Sequence, residues 1–164
     1  MLLEPDVASA AKRSRKAVSA AEKATMDSLD QLAGQAYQSR NFAEAARLMT
    51  EMEPLVVKAY GKNSDDNATL HGNLGAIYLA MSNPDSPEPR MLKLSMEHMK
   101  KSLDVYEKLY GRQSPQYVEN SSNYAVVLAQ AGQKKNIGKI LEIRRNNIQY
   151  YRAKGDTAKL AFEN

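Results

Sequence analysis

Two parts of this sequence repeat one another at a distance of 50 residues. Residues 59–64 read AYGKNS and residues 109–114 read LYGRQS, so Tyr, Gly and Ser recur at matching positions. Farther along, residues 72–78 (GNLGAIY) and 122–128 (SNYAVVL) each place an apolar residue and a small residue directly after an Asn. A fixed period of a few tens of residues is typical of stacked structural units. The repeat therefore predicts stacked helical units.

Composition agrees with a helical core and limits the chemistry. Of the 164 residues, 43% are apolar but only 7% are aromatic, so Ala, Leu and Met must form the core, which favours closely packed helices. The absence of Cys excludes disulfides and thiolate chemistry. We find no apolar run of the ~18 residues that a membrane span needs and no signal peptide at the start. We therefore expect no transmembrane segment and, if no leader was removed, a cytoplasmic protein.

Periodicity along the chain predicts where the helices lie. The first clear i, i+3, i+4, i+7 series is formed by Leu29, Leu32, Ala33 and Ala36. Three prolines between residues 84 and 89 predict an irregular segment at 81–89. The predicted helices lie near residues 27–38, 42–59, 66–80, 90–109, 115–131 and 134–152.

These helices divide into paired units with flanking segments. We expect helix pairs in 26–60, in 64–110 with the 81–89 insertion, and in 114–152. A basic flanking helix is expected in 1–25, and a short capping helix in 153–164. The last pair ends in Tyr150 and Tyr151, an apolar terminal face that either the final helix or a second copy of the chain would cover, which leaves homo-oligomers open.

The repeated residues resemble those of a known family. Leu32-Ala33, Leu74-Gly75 with Tyr78, and Tyr124-Ala125 match the first helix of the tetratricopeptide repeat, or TPR. The run 106–111 (YEKLYG), followed by Ser114-Pro115, resembles the longer, roughly 42-residue repeat of the kinesin light chain type. The resemblance implies an all-α, right-handed superhelical solenoid of about three antiparallel helix pairs. It also implies a concave groove that is lined by the first helix of each pair.

Candidate binding residues follow from that groove. Asn73 and Asn123 occupy the same repeat position, with Gln31 as the counterpart in the first unit, and the resemblance implies that an Asn there contacts a peptide backbone. The other expected groove residues are Tyr37, Gln38, Leu79, Ala80, Glu119, Ser122, Val126, Ala129 and Gln130. Alternatively, each Asn only bonds the neighbouring helix. The groove is expected to be neutral to slightly apolar, which suits an internal extended segment or a helix of a partner.

The sequence offers no convergent catalytic or metal site. His71 falls at a packing position of the repeat, and His98 is expected to face solvent on an amphipathic helix. No HExxH, GxSxG or Gly-rich phosphate loop occurs. Asp65 and Asp66 are interpreted as helix-start residues rather than ligands. We therefore expect neither an enzyme, nor a cofactor, nor a metal site.

The function expected from the sequence is a protein-interaction module, in a scaffold or adaptor role, that binds a peptide segment of a partner protein. One alternative is a small cytoplasmic chaperone or adaptor of a secretion or assembly system. Another is nucleic-acid binding through basic clusters at residues 12–16 and 134–145. That role is disfavoured because no aromatic residues interleave the basic ones, so a solvated helix face explains them better.

Overall fold

The computed structural model describes residues 18–82, 85, 87–132 and 134–163. Over these ranges the chain forms seven α-helices and one 3₁₀ turn, without a strand. The helices are α1 (Ala20–Gln38), α2 (Phe42–Tyr60), α3 (Asp65–Met81), α4 (Pro89–Tyr110), α5 (Pro115–Gln130), α6 (Ile137–Lys154) and α7 (Thr157–Glu163), and the 3₁₀ turn (Lys134–Asn136) precedes α6. The predicted all-α solenoid of helix pairs is confirmed.

The predicted start of the first helix is wrong. The first helix was expected to begin near residue 27, but α1 begins at Ala20. Ser19 explains this start, because its Oγ accepts a hydrogen bond from the Glu22 amide while the Glu22 carboxylate accepts one from the Ser19 amide. Residues 20–25 therefore continue into α1. The rest of the expected flanking helix, residues 1–17, lies outside the described residues.

The repeated Tyr-Gly-x-x-Ser signature forms the turn that begins each later unit. Gly61 and Gly111 end α2 and α4 with φ angles of 93° and 78°, a region that favours glycine. Ser64 Oγ then donates to the Gly61 carbonyl at 2.7 Å and accepts from the Asn67 amide at 3.1 Å. Ser114 repeats the same pair of bonds with Gly111 and Tyr117. The signature is thus a helix stop followed by a helix N-cap.

Each helix packs against the next, so the core runs along the solenoid as connected clusters. The largest cluster joins α1, α2 and the middle of α3 around Met26, Ala33, Met49 and Leu74. Smaller clusters join α3, α4 and α5. A last one joins α5 to α6 through Leu128 and Ile143. Small side chains and methionine side chains pack in this core, as the composition predicted.

The helices of the second unit approach one another closely at Gly75. Ser95 Oγ of α4 donates a 2.7 Å hydrogen bond to the Gly75 carbonyl of α3. A Cβ placed on Gly75 would lie 2.4 Å from Met99 Cγ. Glycine at this repeat position therefore lets α3 and α4 approach directly.

The proline-rich connection between α3 and α4 is non-helical where it is described. Ser82 follows the end of α3, and its Oγ accepts a 3.1 Å hydrogen bond from the Glu88 amide, which brings the two ends of the connection together. The next residue, Pro89, is the first of α4, where a missing N–H has no cost.

Candidate functional site

A groove runs between α1 and α3, the first helices of the first two units. It consists of two adjoining cavities of about 250 and 360 Å³. Asp30 of α1, Met49 of α2 and Asn73 of α3 line both cavities and join them. We call this surface the α1–α3 groove. The first helices of these two units therefore border one continuous groove.

The floor of the α1–α3 groove is apolar and its sides are acidic. Met26, Met49 and Met52 contribute side chains to the floor. The sides carry four aspartates: Asp27, Asp30, Asp65 and Asp66. All four are exposed, and none forms an ion pair with the part of the chain that is described. The expectation of a neutral to slightly apolar groove therefore does not hold between α1 and α3. Carboxylates of both helices line this cavity, which periodicity alone does not reveal.

Asp65 also contacts the turn region beyond the groove. The Tyr110 hydroxyl donates to the Asp65 carboxylate, and this hydrogen bond, followed by burial and nearby negative charge, raises the pKa of Tyr110. Tyr110 therefore stays protonated beside Asp65, which lies in the first turn of α3. Asp65 and Asp66 lie at a helix start, as the sequence predicted, and line the groove as well.

Tyr37 and Asn73 are the two expected groove residues that the structure brings into one cavity. Tyr37 is 46% exposed, and Asn73 is also exposed. Gln31 and Gln38 are exposed on α1 but line neither of the two cavities. In the first unit, the side chains that face the groove are Asp27, Asp30 and Tyr37 instead.

The remaining expected residues lie on α3 and α5, outside the α1–α3 groove. Asn123, Glu119 and Ala129 are exposed on α5, as Ala80 is at the end of α3. Leu79 is half-buried and packs on the cluster of Leu92, Met99 and Val127. Val126 and Gln130 are half-buried, and Gln130 Oε1 has no partner within the described ranges.

Ser122 lies between two helices of the last unit. Its Oγ donates to the Val118 carbonyl at 3.1 Å and accepts from Asn147 Nδ2 at 2.9 Å. Asn147 is a fully buried residue of α6. The bond from Asn147 joins α6 to α5, while the bond to Val118 stays within α5.

The alternative role of Asn73 and Asn123 is a hydrogen bond to the neighbouring helix, and their contacts test it. The side-chain amides of Asn73 and Asn123 form no hydrogen bond with the residues that the structure describes. Both amides are exposed and have donors and an acceptor available. A bond to the neighbouring helix, the alternative considered from sequence, is not formed there.

A third cavity, of about 320 Å³, lies between α2, α3 and α4. We call it the polar cavity; it is lined by Glu53, Val57, Lys62, Asn67, His71, Lys101, Asp104 and Val105. His71 is only 4% exposed, and its Nδ1 lies 3.0 Å from His98 Nδ1. The expectation that His98 faces solvent is therefore wrong, because α4 turns it onto His71 and onto the Tyr78 ring. Burial is the main reason that the pKa of each histidine falls to about 4.

Comparison with known proteins supports the fold. No family model matches the sequence, and neither does any curated protein. Among solved structures, the chain is similar to BtubC (BKLC) from P. vanneervenii, with a TM-score of 0.52 and 17% sequence identity. The match covers 93% of this chain and 64% of BtubC. It shows that the chain has the fold of a helical-repeat protein, and it spans less than two thirds of the BtubC length.

Two further observations concern the described residues. None of their helices is long and apolar enough to cross a lipid bilayer. They also contain no group of three or more His, Cys, Asp or Glu side chains placed to hold a metal ion, so the four aspartates of the groove do not converge on one point. The groove is thus an extended charged surface.

Proposed function

We propose that this protein is an interaction module whose α1–α3 groove binds a peptide segment of a partner protein, and that the segment combines apolar residues with Lys or Arg. A TPR-like helical repeat suggests protein partners in general. The observation that carries the finer proposal is the combination, in one groove, of a methionine floor with four aspartates that form no ion pair with the described residues.

The groove has the chemistry for such a segment. Methionine side chains are flexible and polarizable, so Met26, Met49 and Met52 accommodate apolar side chains of varied shape. Asp30 and Asp66 on opposite sides would pair with cationic side chains that project from the same segment. Asn73, between the two cavities, would bond a backbone amide of an extended peptide whatever its sequence.

The acidic groove contrasts with the positive net charge of the chain, and this contrast bears on which segments bind. The protein carries 23 Lys and Arg against 19 Asp and Glu, a formal charge of +4. An acidic groove on a basic protein steers cationic segments to one place and repels anionic ones. Nucleic acid would therefore have to bind elsewhere, at the exposed basic residues Lys134, Lys135 and Arg145 beside and on α6. A role as a small chaperone or adaptor of an assembly system would use the same groove.

A peptide-display selection tests the proposal. Short random peptides selected on the immobilised full chain should be enriched in Lys or Arg next to apolar residues. Selected peptides should bind Asp30→Asn and Asp66→Asn variants roughly 5- to 10-fold more weakly, about 1 kcal/mol for each charge pair. Glu97→Gln removes an exposed carboxylate of α4 that is remote from the groove and should leave binding unchanged.

Two results would contradict the proposal. The first is selection of acidic or purely apolar peptides. The second is equal weakening by Glu97→Gln and Asp30→Asn. Steeply salt-dependent binding of random-sequence RNA that is lost on removing the positive charges of Lys134 and Lys135 would instead support the nucleic-acid alternative.

A further inference from the structure

One side of α6 combines exposed apolar and basic side chains. Helical spacing places Ile137, Leu141, Arg145, Ile148 and Arg152 along this side, each three or four residues after the one before. Ile137 is 56% exposed and Leu141 is 49% exposed. The two arginines are exposed as well, and Ile148 is half-buried. We call these five residues the α6 outer face; adjacent exposed apolar residues of this kind mark an interaction surface.

The positive charges of the α6 outer face are not neutralised within the described part of the chain. Arg145 and Arg152 form no ion pair there. The sequence of α6 contains a single carboxylate, Glu142, which is engaged by Arg112 at 2.7 Å and by Lys139 at 3.1 Å. The final helix, α7, leaves both arginines exposed. This face therefore has the composition that the α1–α3 groove requires of a partner segment.

The α1–α3 groove has an apolar end and an acidic end. Its apolar end is the cavity lined by Tyr37, Ala76 and Ile77, where Asp30 is the one carboxylate among the described lining residues. The other cavity carries all four aspartates, and no described Lys, Arg or His lines either cavity. Along α1, Tyr37 lies ten residues, or about 15 Å, from Asp27 at the acidic end.

The α6 outer face has the complementary order of side chains. Ile137 and Leu141 lie near the start of α6, and Arg145 and Arg152 lie farther along it. Eight residues, or about 12 Å of helix, separate Ile137 from Arg145, which is comparable with the length of the groove. A helix antiparallel to α1 would thus place apolar residues on the apolar end and arginines on the acidic end. No residue of α6 lines the groove of its own chain, so another copy must supply this helix.

We propose that the α6 outer face of one copy docks into the α1–α3 groove of a second copy, so that chains associate head to tail. This inference rests on the proposed function and names the partner segment. The apolar residues of the face lie on the cavity of Tyr37, and its two arginines pair with aspartates at the other end. Because the two surfaces differ, each copy keeps one of them free, and association continues beyond a dimer unless a ring closes.

Sedimentation velocity of the full chain over a range of concentrations tests the association. The sedimentation coefficient should rise with concentration past the value of a dimer. Asp30→Asn/Asp66→Asn changes the groove, and Arg145→Gln/Arg152→Gln changes the α6 outer face. Each double variant should associate roughly tenfold more weakly, because exposed charge pairs are lost. Association that the groove variant does not weaken would refute the contact.

An equimolar mixture of the two double variants identifies which surfaces meet. The groove variant keeps its arginines and the α6 variant keeps its aspartates, so the mixture should form one-to-one complexes where neither variant associates alone. Arg90→Gln/Lys108→Gln removes two exposed positive charges of α4 and is the matched control that should leave association unchanged. Weakening by this control equal to that of the α6 variant, or a mixture that stays monomeric, would overturn the proposal.

Peptide binding distinguishes failure of this proposal from failure of the proposed function. A peptide from the display selection should dissolve the assembly, because it occupies the same groove. A chain that binds such peptides but stays monomeric at every soluble concentration would overturn the self-association alone, and so would an assembly that persists in saturating peptide. A chain that neither binds basic and apolar peptides nor associates would overturn both.

Discussion

His71 and His98 face one another across α3 and α4 with their Nδ1 atoms 3.0 Å apart, so one imidazole donates to the other. The rings are tilted by 47°, and the His98 ring also stacks on Tyr78. Only one of the two Nδ1 atoms can carry a hydrogen in such a contact, so protonating both rings would bring two N–H groups together. The pair is therefore stable only while it is neutral or shares a single charge.

The first prediction is that this pair lowers the free energy of unfolding when the pH falls. Burial lowers the pKa of both histidines from 6.5 to about 4, so the unfolded chain binds more protons between these pH values. The pair should make its full contribution to the free energy of unfolding above pH 6.5. This contribution should decrease as the pH falls towards 4. Urea unfolding between pH 4 and 7 measures it, and a His71→Phe/His98→Phe double variant should show a flatter profile. NMR titration midpoints near 6.5 in the folded chain would contradict the assignment.

The second prediction compares two glycines inside helices. Gly75→Ala should destabilise the fold by about 1–3 kcal/mol, because the new Cβ would overlap Met99 Cγ and force α3 away from α4. Gly34→Ala places its Cβ where no atom lies within 4 Å, and it should stabilise α1 by about 0.5–1 kcal/mol through helix propensity. Chemical denaturation of both variants measures the two effects. Equal changes for the two would show that α3 and α4 do not approach as closely as described.

The third prediction concerns the buried amide of the last unit. Asn147 is 0% exposed, and it accepts from Ser121 Oγ at 3.0 Å and donates to Ser122 Oγ at 2.9 Å. Asn147→Leu keeps a similar volume but removes these bonds, so the free energy of unfolding should fall by about 1–3 kcal/mol. Asn123→Ala, an exposed amide on the helix that packs against α6, is the control and should have little effect. A neutral Asn147→Leu variant would mean that packing alone joins α5 to α6.

The sequence allowed the helices to be predicted because their stop and start signals are local. Tyr-Gly-x-x-Ser at the start of two units encodes a glycine with positive φ and a serine N-cap, and both operate within a few residues. The start of α1 was missed because a weak apolar stripe hid the capping box of Ser19 and Glu22. The box itself, a Ser three residues before a Glu, was the signal that could have located it.

The binding surfaces could be predicted only in part, since they depend on contacts between helices. Tyr37 and Asn73 were expected in a groove from their repeat positions, and the structure places both in one cavity. The acidic character of that groove depends on Asp30 and Asp66, which lie on different helices and follow no shared pattern. The contact of His71 with His98 depends likewise on the rotation of α4 against α3, which a sequence pattern does not specify.

The fourth prediction separates the two repeated asparagines. Asn73 lines both cavities of the α1–α3 groove, whereas Asn123 is exposed on α5 outside them. Asn73→Ala should weaken a peptide selected on the full chain by up to tenfold, since the lost hydrogen bond contributes about 0.5–1.5 kcal/mol. Asn123→Ala should matter only for peptides long enough to reach α5. Titration calorimetry gives the affinities and thermal unfolding the stabilities; a large loss of melting temperature with unchanged affinity would show that Asn73 is structural.

The fifth prediction concerns α7 as a cover for the end of the solenoid. The Asp156 amide donates to the Tyr151 carbonyl at 3.0 Å, and Lys159 Nζ lies 5.5 Å from the centre of the Tyr151 ring. These contacts hold the start of α7 against α6 and help to bury Tyr151. A chain truncated after Lys154 should expose this ring and the neighbouring apolar face, and so self-associate. Sedimentation velocity at several concentrations measures this, with the untruncated chain as the control that keeps α7. A truncated chain that stays as monomeric as the full chain would show that α7 is not the cover.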